Sequence, residues 1–422
     1  MPASTDTTAS DLAAAVDGFL RPGGTADAVD GVLPRWVAVP DSTEATSALL
    51  GAAARHGLSV LARGAGTKLT WGHPPTSADL LVDTGRMDRI IEHAHGDLVV
   101  RTQAGVRLAA LNAALAPSGQ RLALDPAVAG GTIGGTIATA ASGPLRLSHG
   151  AVRDLLIGVT MVRADGKVAK AGGTVVKNVA GYDLAKLLTG SWGTLGLVTE
   201  AVFRLHPLPA ARRWVTVPAT VPGEIHDHVQ RVIASPLVPA ALEIDVGVSP
   251  AGGRRGGLSV LLEGTPAGVE DRTDRLLTLL GRTARADDQP PPWWGQAPGA
   301  AAGGTVLRMT HEIAGCAPLL VAVTQITTDR HVPALVRGSA AVGVLHVALP
   351  AGDPRTVADV VTQLRSRAGG WGGQVVVLTA PPAVKALVDV WGQAQGIDLM
   401  RRVKDRFDPE HRLAPGRFVG GI

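Results

Sequence analysis

The sequence has one cysteine, Cys316, in 422 residues. A single thiol cannot form an intramolecular disulfide, and it cannot hold an iron–sulfur cluster, which needs several thiolates. Aromatic residues make up only 3% of the chain, so its core must be mainly aliphatic. No run of about 18 apolar residues occurs, so no membrane-spanning helix is expected.

The first ten residues are polar and lack the basic and apolar regions of a signal peptide. We therefore expect a cytoplasmic protein, and attachment to the inner membrane through partner proteins is the alternative. The 40 basic residues barely exceed the 36 acidic ones, and no basic run is interleaved with aromatics. This composition speaks against nucleic-acid binding. We also predict no metal site.

Helix and strand patterns are mixed along the chain, and its length favours two or three domains. We predict a disordered start over residues 1–10, and Asp41 with Glu44 as a capping box for a helix ending near Arg55. The proline-bearing segment HPLPAARR, residues 206–213, indicates a domain boundary. Residues 284–304 are rich in proline, glycine and alanine, and we predict a long loop there.

The segment Arg63-Gly64-Ala65-Gly66-Thr67 follows a predicted buried strand. A diphosphate requires several backbone N–H donors aimed at one place, and bulky side chains would keep the backbone away from it. Arg63 and Thr67 would add a charge and a hydroxyl. The segment lacks the third glycine and the following helix of a Rossmann fingerprint. Taken alone, it fits a glycine turn between two strands as well as a ligand site.

Residues 125–144, DPAVAGGTIGGTIATAASGP, are almost all small. We expect extended backbone there, which can lie flat against a large planar ligand; tight packing within the protein is the equal alternative. A third segment, residues 172–205, contains the only tyrosine, Tyr182, with Lys177 and Asn178 just before it. These side chains fit either donors to a ligand or structural groups that cap a loop.

The order and spacing of several motifs resemble the FAD-binding domain of vanillyl-alcohol-oxidase-type flavoproteins, also called PCMH-type. They are RGAGT, TIGG with SGP downstream, KNVAGYDL and GSWGTLGLVTE. The SGP, KNVAGYD and GSWGTLG motifs resemble in particular the FAD-binding subunits of bacterial glycolate dehydrogenases. The likeness runs from about residue 35 to residue 209 and returns at FDPEHRLAPGRF, residues 407–418.

The resemblance implies an α+β fold with a two-subdomain PCMH-type FAD-binding domain and an α+β cap domain. The implied boundaries are an N-terminal extension over 1–29, the FAD-binding domain over 30–209, the cap domain over 210–397, and a segment over 398–422 that returns to the first domain. FAD is the implied cofactor. The implied FAD-contacting residues are Arg63, Gly64, Ala65, Gly66 and Thr67 at the diphosphate; Asp125, Pro126, Thr132, Ile133, Gly134, Gly135, Ala138, Thr139, Ser142 and Gly143 along the ribityl chain and ring; Val198 at the adenine; and Arg417 near the flavin edge.

Relatives that dehydrogenate 2-hydroxy acids have an HVGDGN-type loop and a GEHG motif in the cap domain, and this sequence has neither. His346 in GVLHVALP stands alone, His311-Glu312 has the wrong spacing, and Ala414 replaces the usual Asn of the tail. We therefore assign no catalytic residue, and a packed or surface role is the ordinary interpretation of His346. His73 and His149 occur in no recognised linking motif, so we expect noncovalent FAD. For Arg417, an exposed, solvated side chain is the alternative.

Three hypotheses for the function follow. The chain is an FAD-bearing subunit of a glycolate dehydrogenase, whose partners would be a catalytic flavoprotein subunit and an iron–sulfur subunit. Alternatively, it is a stand-alone FAD oxidoreductase for a small 2-hydroxy acid. The third hypothesis is a structural subunit that keeps the fold but binds little or no FAD; the intact RGAGT and TIGG motifs speak against it.

Overall fold

A computed structural model describes residues 3–173, 182–250, 254–299 and 303–422. In the first half of the chain, short strands alternate with short helices. The elements are α1 Ala3–Ala15, β1 Leu20–Pro22, β2 Trp36–Ala38, α2 Thr43–Arg55, β3 Val60–Arg63, β4 Leu80–Asp83, β5 Ile90–Ala94, β6 Val99–Gln103, α3 Leu108–Leu115, β7 Gln120–Arg121, α4 Ile133–Thr139, α5 Arg146–His149, α6 Val152–Leu155, β8 Leu156–Val162, β9 Val168–Gly172, α7 Leu184–Leu188, β10 Leu197–Arg204 and β11 His206–Pro207.

The second half has longer strands and helices. They are β12 Ala211–Pro218, α8 Pro222–Ile233, β13 Ala241–Val248, β14 Arg254–Gly264, α9 Pro266–Leu280, β15 Arg285–Asp287, β16 Thr305–Thr310, α10 Cys316–Asp329, β17 Ala334–Ser339, β18 Val344–Leu349, α11 Pro354–Gly369, β19 Val375–Thr379, α12 Pro382–Lys385 and α13 Ile397–Phe407. None of the described helices combines the length and the apolar character that crossing a bilayer requires.

The first half builds two main sheets, one for each subdomain, and a short two-stranded sheet of β7 and β11. In the smaller sheet the strand order is β1-β2-β4-β3, and β4 runs parallel to both β2 and β3 because the chain crosses over through α2. In the larger sheet the order is β5-β6-β10-β8-β9, and each neighbouring pair is antiparallel. The mixed helix-and-sheet fold expected from the sequence is confirmed.

The second half forms one eight-stranded sheet in the order β15-β12-β14-β13-β17-β18-β16-β19, and all its pairs are antiparallel. Helices α8, α9, α10 and α11 contribute the buried side chains that share its largest core, which is aliphatic as the composition predicted. Successive side chains of a strand point to opposite faces of a sheet, so this sheet has a second face whose side chains lie outside that core. Part of that second face is directed at the first half of the chain.

Two local expectations are wrong. The start is not disordered, because α1 begins at Ala3 and buries Leu12 in the core that also contains Leu49 of α2. Helix α2 is capped by Ser42 instead of Asp41, since the Ser42 hydroxyl accepts a hydrogen bond from the Ala45 N–H at 3.2 Å. Ser42 lies one position after Asp41 and offers an equivalent side-chain oxygen to the first turn of the helix. The prediction therefore identified the start of the helix but placed its cap one residue too early.

The C-terminal segment lies against the first half of the chain. The N–H of Val60 in β3 donates to the Arg412 carbonyl at 2.8 Å, and the N–H of Ala414 donates to the Val60 carbonyl at 2.8 Å. Lys404 of α13 is fully buried and donates to the Thr194 carbonyl and to the Asp408 carboxylate. Backbone pairing and a satisfied buried cation therefore hold this segment beside β3.

Candidate functional site

The glycine loop after β3 lies close to the start of α4. A Cβ atom on Gly64 would lie 2.2 Å from the Oγ1 of Thr132, so no larger residue fits there without moving the helix. Gly66 has a φ of +78°, a conformation that side-chain-bearing residues rarely adopt. Close approach and left-handed backbone are thus the two physical reasons for glycine in RGAGT.

The segment expected to be extended turns into the seven-residue helix α4, which corrects the prediction for residues 133–139. The Thr132 hydroxyl accepts from the Gly135 N–H at 3.3 Å and so caps the helix. A Cβ on Gly134 would lie 2.9 Å from that of Ala104, and the Gly134 N–H donates to the Ala104 carbonyl. Small residues here allow α4 to pack closely against a neighbouring chain segment. In the sequence, a run of small residues does not distinguish such a helix from extended backbone.

Between the glycine loop and α4 lies a cleft with about 850 Å³ of empty space, part of it open to solvent. We call it the first cleft. Its lining residues are Ala62, Arg63, Gly64, Ala65, Gly66, Thr67, Lys68, Leu69, Thr84, Ala104, Thr132, Gly134, Gly135, Ala138, Thr139, Ser191, Trp192, Gly193, Gly196, Leu197, Val198 and Arg417.

The hydrogen-bond donors of the loop point to its role. Among the described residues, the N–H groups of Gly64 to Thr67 have no backbone or side-chain acceptor. The Arg63 guanidinium, in contrast, is used within the protein, since it donates to Asp27 at 2.8 Å and to Asp83 at 2.7 Å. The expectation that Arg63 supplies free charge to a diphosphate is therefore corrected: the loop offers backbone donors, and the Arg63 charge is already neutralised.

Lys68 is a cation in the first cleft to which the sequence analysis gave no role. Its side chain is 8% exposed, and burial lowers the pKa of its ammonium group. It has no carboxylate partner among the described residues, and its hydrogen bond to the Thr67 hydroxyl is long, 3.4 Å. Its place directly after RGAGT was the available signal. An unpaired buried cation beside free N–H groups suits a diphosphate.

Arg417 is buried, so the alternative of an exposed, solvated side chain is wrong. It donates to the carbonyls of Leu69 at 2.7 Å and Trp71 at 2.6 Å, and these bonds hold the C-terminal segment at the first cleft. Its Nε is buried without a partner among the described residues, and burial lowers the pKa of the guanidinium to about 10. A buried unpartnered N–H at a cleft is a group that a ligand acceptor would satisfy.

The other predicted contact residues divide into three sets. Thr132, Gly134, Gly135, Ala138, Thr139 and Val198 line the first cleft, as does the whole of Arg63–Thr67. Ser142 and Gly143 line a different cavity. The remaining predicted residues line neither described cavity: Ile133 is fully buried in the core of the larger subdomain, Asp125 accepts hydrogen bonds from the Leu145 N–H, and Pro126 adjoins it.

The cavity of Ser142 and Gly143, which we call the second cavity, lies between the two halves of the chain. Its empty space is about 350 Å³, partly open to solvent. Arg146 faces it from the first half, and Glu243, Arg337, Ser339 and His346 face it from the eight-stranded sheet. Thr139 lines the first cleft and Ser142 lines the second cavity, so a single short segment connects the two.

Buried ionisable groups surround the second cavity. Burial raises the pKa of Glu243 to about 8, and the nearby Asp125 charge adds to this rise. Burial likewise raises the pKa of Asp125 to about 7. Burial, helped by the nearby Arg308 charge, lowers the pKa of His346 to about 4, so its imidazole is neutral at pH 7. His346 lies partly buried on β18 and lines the second cavity, so the packed or surface role expected of it stays a prediction.

The remaining candidates lie elsewhere. Tyr182 is 93% exposed, while Lys177 and Asn178 lie outside the described residues. His73 is hydrogen bonded to Asp389, and His149 lies beside Arg121; neither lines the first cleft, so noncovalent attachment stays a prediction. Within the described ranges no group of three or more metal-ligating side chains converges.

Residues 34–172 match the family described as FAD binding domain. This part of the chain is therefore similar to a domain that binds the dinucleotide FAD. The free loop donors, Lys68 and Arg417 all suit such a dinucleotide, and FAD as the cofactor is confirmed. The glycine loop, α4 and the strands β5, β6, β8 and β9 of the larger sheet all fall within the matched range.

Several curated proteins are similar to this chain. An uncharacterized FAD-linked oxidoreductase of Mycobacterium tuberculosis is 34% identical over 210 residues, which is 50% of this chain and 46% of the relative. Glycolate oxidase subunit GlcD of Bacillus subtilis is 34% identical over 212 residues, 50% of this chain and 45% of the relative. Glycolate oxidase subunit GlcE of Escherichia coli is 38% identical over 151 residues, 35% of this chain and 43% of the relative. The chain thus spans about half the length of the curated relatives it matches.

A solved structure shares the fold over most of the chain. Alkyldihydroxyacetonephosphate synthase superposes with a TM-score of 0.70 at 17% identity, and the match covers 92% of this chain and 78% of that one. At this identity the likeness shows the fold alone. The match extends well beyond residue 172, so the cap sheet belongs to the shared architecture.

Proposed function

We propose that this chain is the FAD-bearing subunit of a glycolate or related 2-hydroxy-acid dehydrogenase and takes part in the oxidation of glycolate to glyoxylate. The observation that carries the proposal is the first cleft, where unpaired N–H groups of Gly64 to Thr67 meet the unpaired cation Lys68. Bound FAD supplies the acceptor for the two electrons that leave the hydroxy acid. The similarity to both GlcD and GlcE supports a subunit of such a complex.

Partners are part of this proposal. With one buried thiol, Cys316, the chain has no ligand set for an iron–sulfur cluster. Electrons that reach its flavin would therefore continue to an iron–sulfur subunit and a second flavoprotein subunit that carries the HVGDGN-type and GEHG motifs.

A stand-alone 2-hydroxy-acid dehydrogenase is the second candidate, and the second cavity is the observation that favours it. A neutral His346 and the cations of Arg146 and Arg337 face one small space between the cap and the FAD-binding domain. The chain thus has polar groups of its own at the second cavity, which the segment from Thr139 to Ser142 connects to the first cleft. It lacks, however, the HVGDGN-type and GEHG motifs of the dehydrogenating relatives.

One experiment separates the two candidates. The purified, FAD-loaded chain is mixed anaerobically with glycolate or D-lactate, and the visible flavin band is followed. A band that stays oxidised until partner subunits are added supports the subunit role, whereas bleaching by the chain alone supports the stand-alone enzyme. A chain that takes up no FAD, or a flavin that stays oxidised even with partners, contradicts both.

A further inference from the structure

Lys385, the last residue of α12, reaches from the second half of the chain to the segment that follows the glycine loop. Its ammonium group donates to the carbonyls of Thr70 at 2.7 Å and Gly72 at 3.0 Å. It also donates to the Asp30 carboxylate at 2.7 Å, and the side chains of Lys385 and Asp30 are 2% and 7% exposed. Three acceptors therefore satisfy this buried ammonium group, and all three belong to the first half of the chain.

Arg417 holds the same segment from the C-terminal tail. Its guanidinium group donates to the carbonyls of Leu69 and Trp71, which alternate along the chain with the two carbonyls that Lys385 binds. Arg417 is itself buried. Two buried cations thus bind four successive carbonyls, and we call residues 69–72 the clasped segment.

The clasped segment fixes the backbone of Lys68, the unpaired cation of the first cleft. The Trp71 N–H donates to the Lys68 carbonyl at 3.1 Å, so a turn joins Lys68 to the clasped segment. The ammonium group of Lys68 lies beside the start of α4, because a Cβ atom on Gly131 would be 3.0 Å from its Nζ. A side chain presents its charge at a fixed place only if its backbone is held there by a supporting shell of contacts.

Helix α12 moves with the second half of the molecule. Val384, next to Lys385, is buried in the core of the eight-stranded sheet. A displacement of this core relative to the first half would therefore shift the clasped segment or break its hydrogen bonds to Lys385. Breaking them is costly, because a buried ammonium group has no water to replace lost acceptors. Lys385 does not line the first cleft, so its effect on a ligand there is indirect.

We propose that Lys385 is a positioning residue for FAD: through the clasped segment it holds the ammonium group of Lys68 in place for the cofactor diphosphate. FAD binding and the packing of the second half against the first then stabilise each other, because both require the same arrangement of the clasped segment. The inference rests on FAD as the cofactor and does not depend on which candidate function is correct.

The test titrates FAD into the whole chain after the cofactor has been removed, and flavin fluorescence reports binding. Asp30→Asn is the reference, because asparagine tolerates the φ of +49° at this position and leaves the carbonyl hydrogen bonds of Lys385 in place. Adding Lys385→Met removes those bonds without leaving a buried carboxylate unpaired. We expect FAD to bind about tenfold more weakly than to the reference. Unchanged affinity overturns the inference.

Repeating the comparison with Lys68→Met present shows whether Lys385 acts through Lys68. The loss caused by Lys385→Met should then shrink to about twofold or less, since the ammonium group that Lys385 positions is missing. A merely structural role of Lys385 predicts the same loss with and without Lys68. Equal losses therefore also overturn the inference.

Arg272→Met is the matched control for lost carbonyl hydrogen bonds. Arg272 of α9 donates to the carbonyls of Leu237 at 3.2 Å and Glu263 at 2.7 Å, and neither belongs to the clasped segment. This variant should melt at a lower temperature without FAD but bind FAD with unchanged affinity. A loss of affinity equal to that of Lys385→Met would mean that destabilisation alone weakens binding, which contradicts the inference.

Hydrogen exchange of the unchanged protein tests the coupling without any substitution. FAD should slow amide exchange in residues 383–387 more than in α9, although neither segment lines the first cleft. Equal slowing in the two segments, or none, overturns the coupling even if a variant fails to fold.

Discussion

The first cleft and the second cavity recognise ligands in opposite ways. In the first cleft the main donors are backbone N–H groups from Gly64 to Thr67, and the Arg63 charge is already neutralised by Asp27 and Asp83. In the second cavity the polar groups are side chains from separate elements, among them Arg146 of α5, Arg337 of β17 and His346 of β18. Backbone donors suit a cofactor that many proteins share, because they do not depend on side-chain identity. Side chains can differ from one protein to the next and so select a particular small molecule.

The two sites also depend on different properties of their residues. The first cleft depends on close approach, and each added Cβ costs space at Gly64 or Gly134. The second cavity depends on charge, because Arg146 and Arg337 face it together with the buried carboxyl group of Glu243. We therefore expect the first cleft to be sensitive to size and the second cavity to be sensitive to charge and pH.

The largest expected effect is that of Gly66→Val on FAD retention. Valine disfavours the φ of +78° at Gly66, so the loop must shift and withdraw its N–H groups from the cleft. We expect the flavin-to-protein absorbance ratio of the purified variant to fall by at least about tenfold, together with the melting temperature, because bound ligand stabilises by mass action.

Gly119→Val provides the matched control. Gly119 also lies in the FAD-binding domain with a positive φ of +68°, but it is surrounded by open space and does not line the first cleft. Its variant should lose stability from backbone strain while keeping its flavin. Equal flavin content in the two variants would remove the diphosphate assignment of the loop.

A smaller effect is expected from Glu243→Gln on the pH dependence of stability. The pKa of Glu243 is raised from 4.5 to about 8 mainly by burial, so the folded state holds this proton more tightly than the unfolded chain does. The resulting stability is complete below pH 4.5 and is lost as the pH rises through about 8. The free energy of unfolding should fall across this window, on the order of 1.4 kcal/mol for each pKa unit.

Denaturant unfolding between pH 5 and pH 9 measures this slope. Glu243→Gln should flatten it and be more stable than the unchanged protein at the alkaline end, while Asp125, with a pKa raised to about 7, leaves a residual slope. Glu270→Gln, an exposed glutamate on α9, is the control and should keep the full slope. A slope that Glu243→Gln leaves unchanged would mean that this carboxyl is not the group responsible.

The smallest effect concerns two cations at the first cleft. Lys68→Met should weaken FAD binding about tenfold, because an unpaired charge beside the diphosphate is lost. Arg63→Met should change FAD affinity less but lower the free energy of unfolding by about 1–3 kcal/mol, because Asp27 and Asp83 lose a partner. Flavin titration and denaturant unfolding of both variants measure the two quantities. The reverse pattern would show that Arg63 binds the cofactor and Lys68 does not.

Much of the fold was predictable from local patterns. The helix predicted to end near Arg55 is α2, Thr43–Arg55, because its capping residues and its helical pattern agree. The segment around α4 was not predictable in this way. Its residues are too small to show a helical stripe, and the packing of Gly134 on Ala104 shapes it.

The candidate site divides in the same manner. RGAGT and Thr132–Thr139 were found because each is a contiguous motif whose small residues have a direct physical purpose. Ser142 and Gly143 were grouped with them by sequence proximity, yet the chain passes into another cavity within three residues of Thr139. Lys68 was overlooked because a lysine after a motif is usually solvated, and its lack of a carboxylate partner is visible only in three dimensions.

The sequence by itself indicated FAD as the cofactor, since the order and spacing of its motifs resemble a known FAD-binding domain, although each glycine segment alone also fits a turn or tight packing. It also determined that the chain cannot hold an iron–sulfur cluster, since the necessary thiolates are missing. Only the tertiary structure decided that Arg146, Arg337 and His346 share one cavity. They lie far apart along the chain, and strand register together with the packing of the eight-stranded sheet against the first half of the chain brings them together.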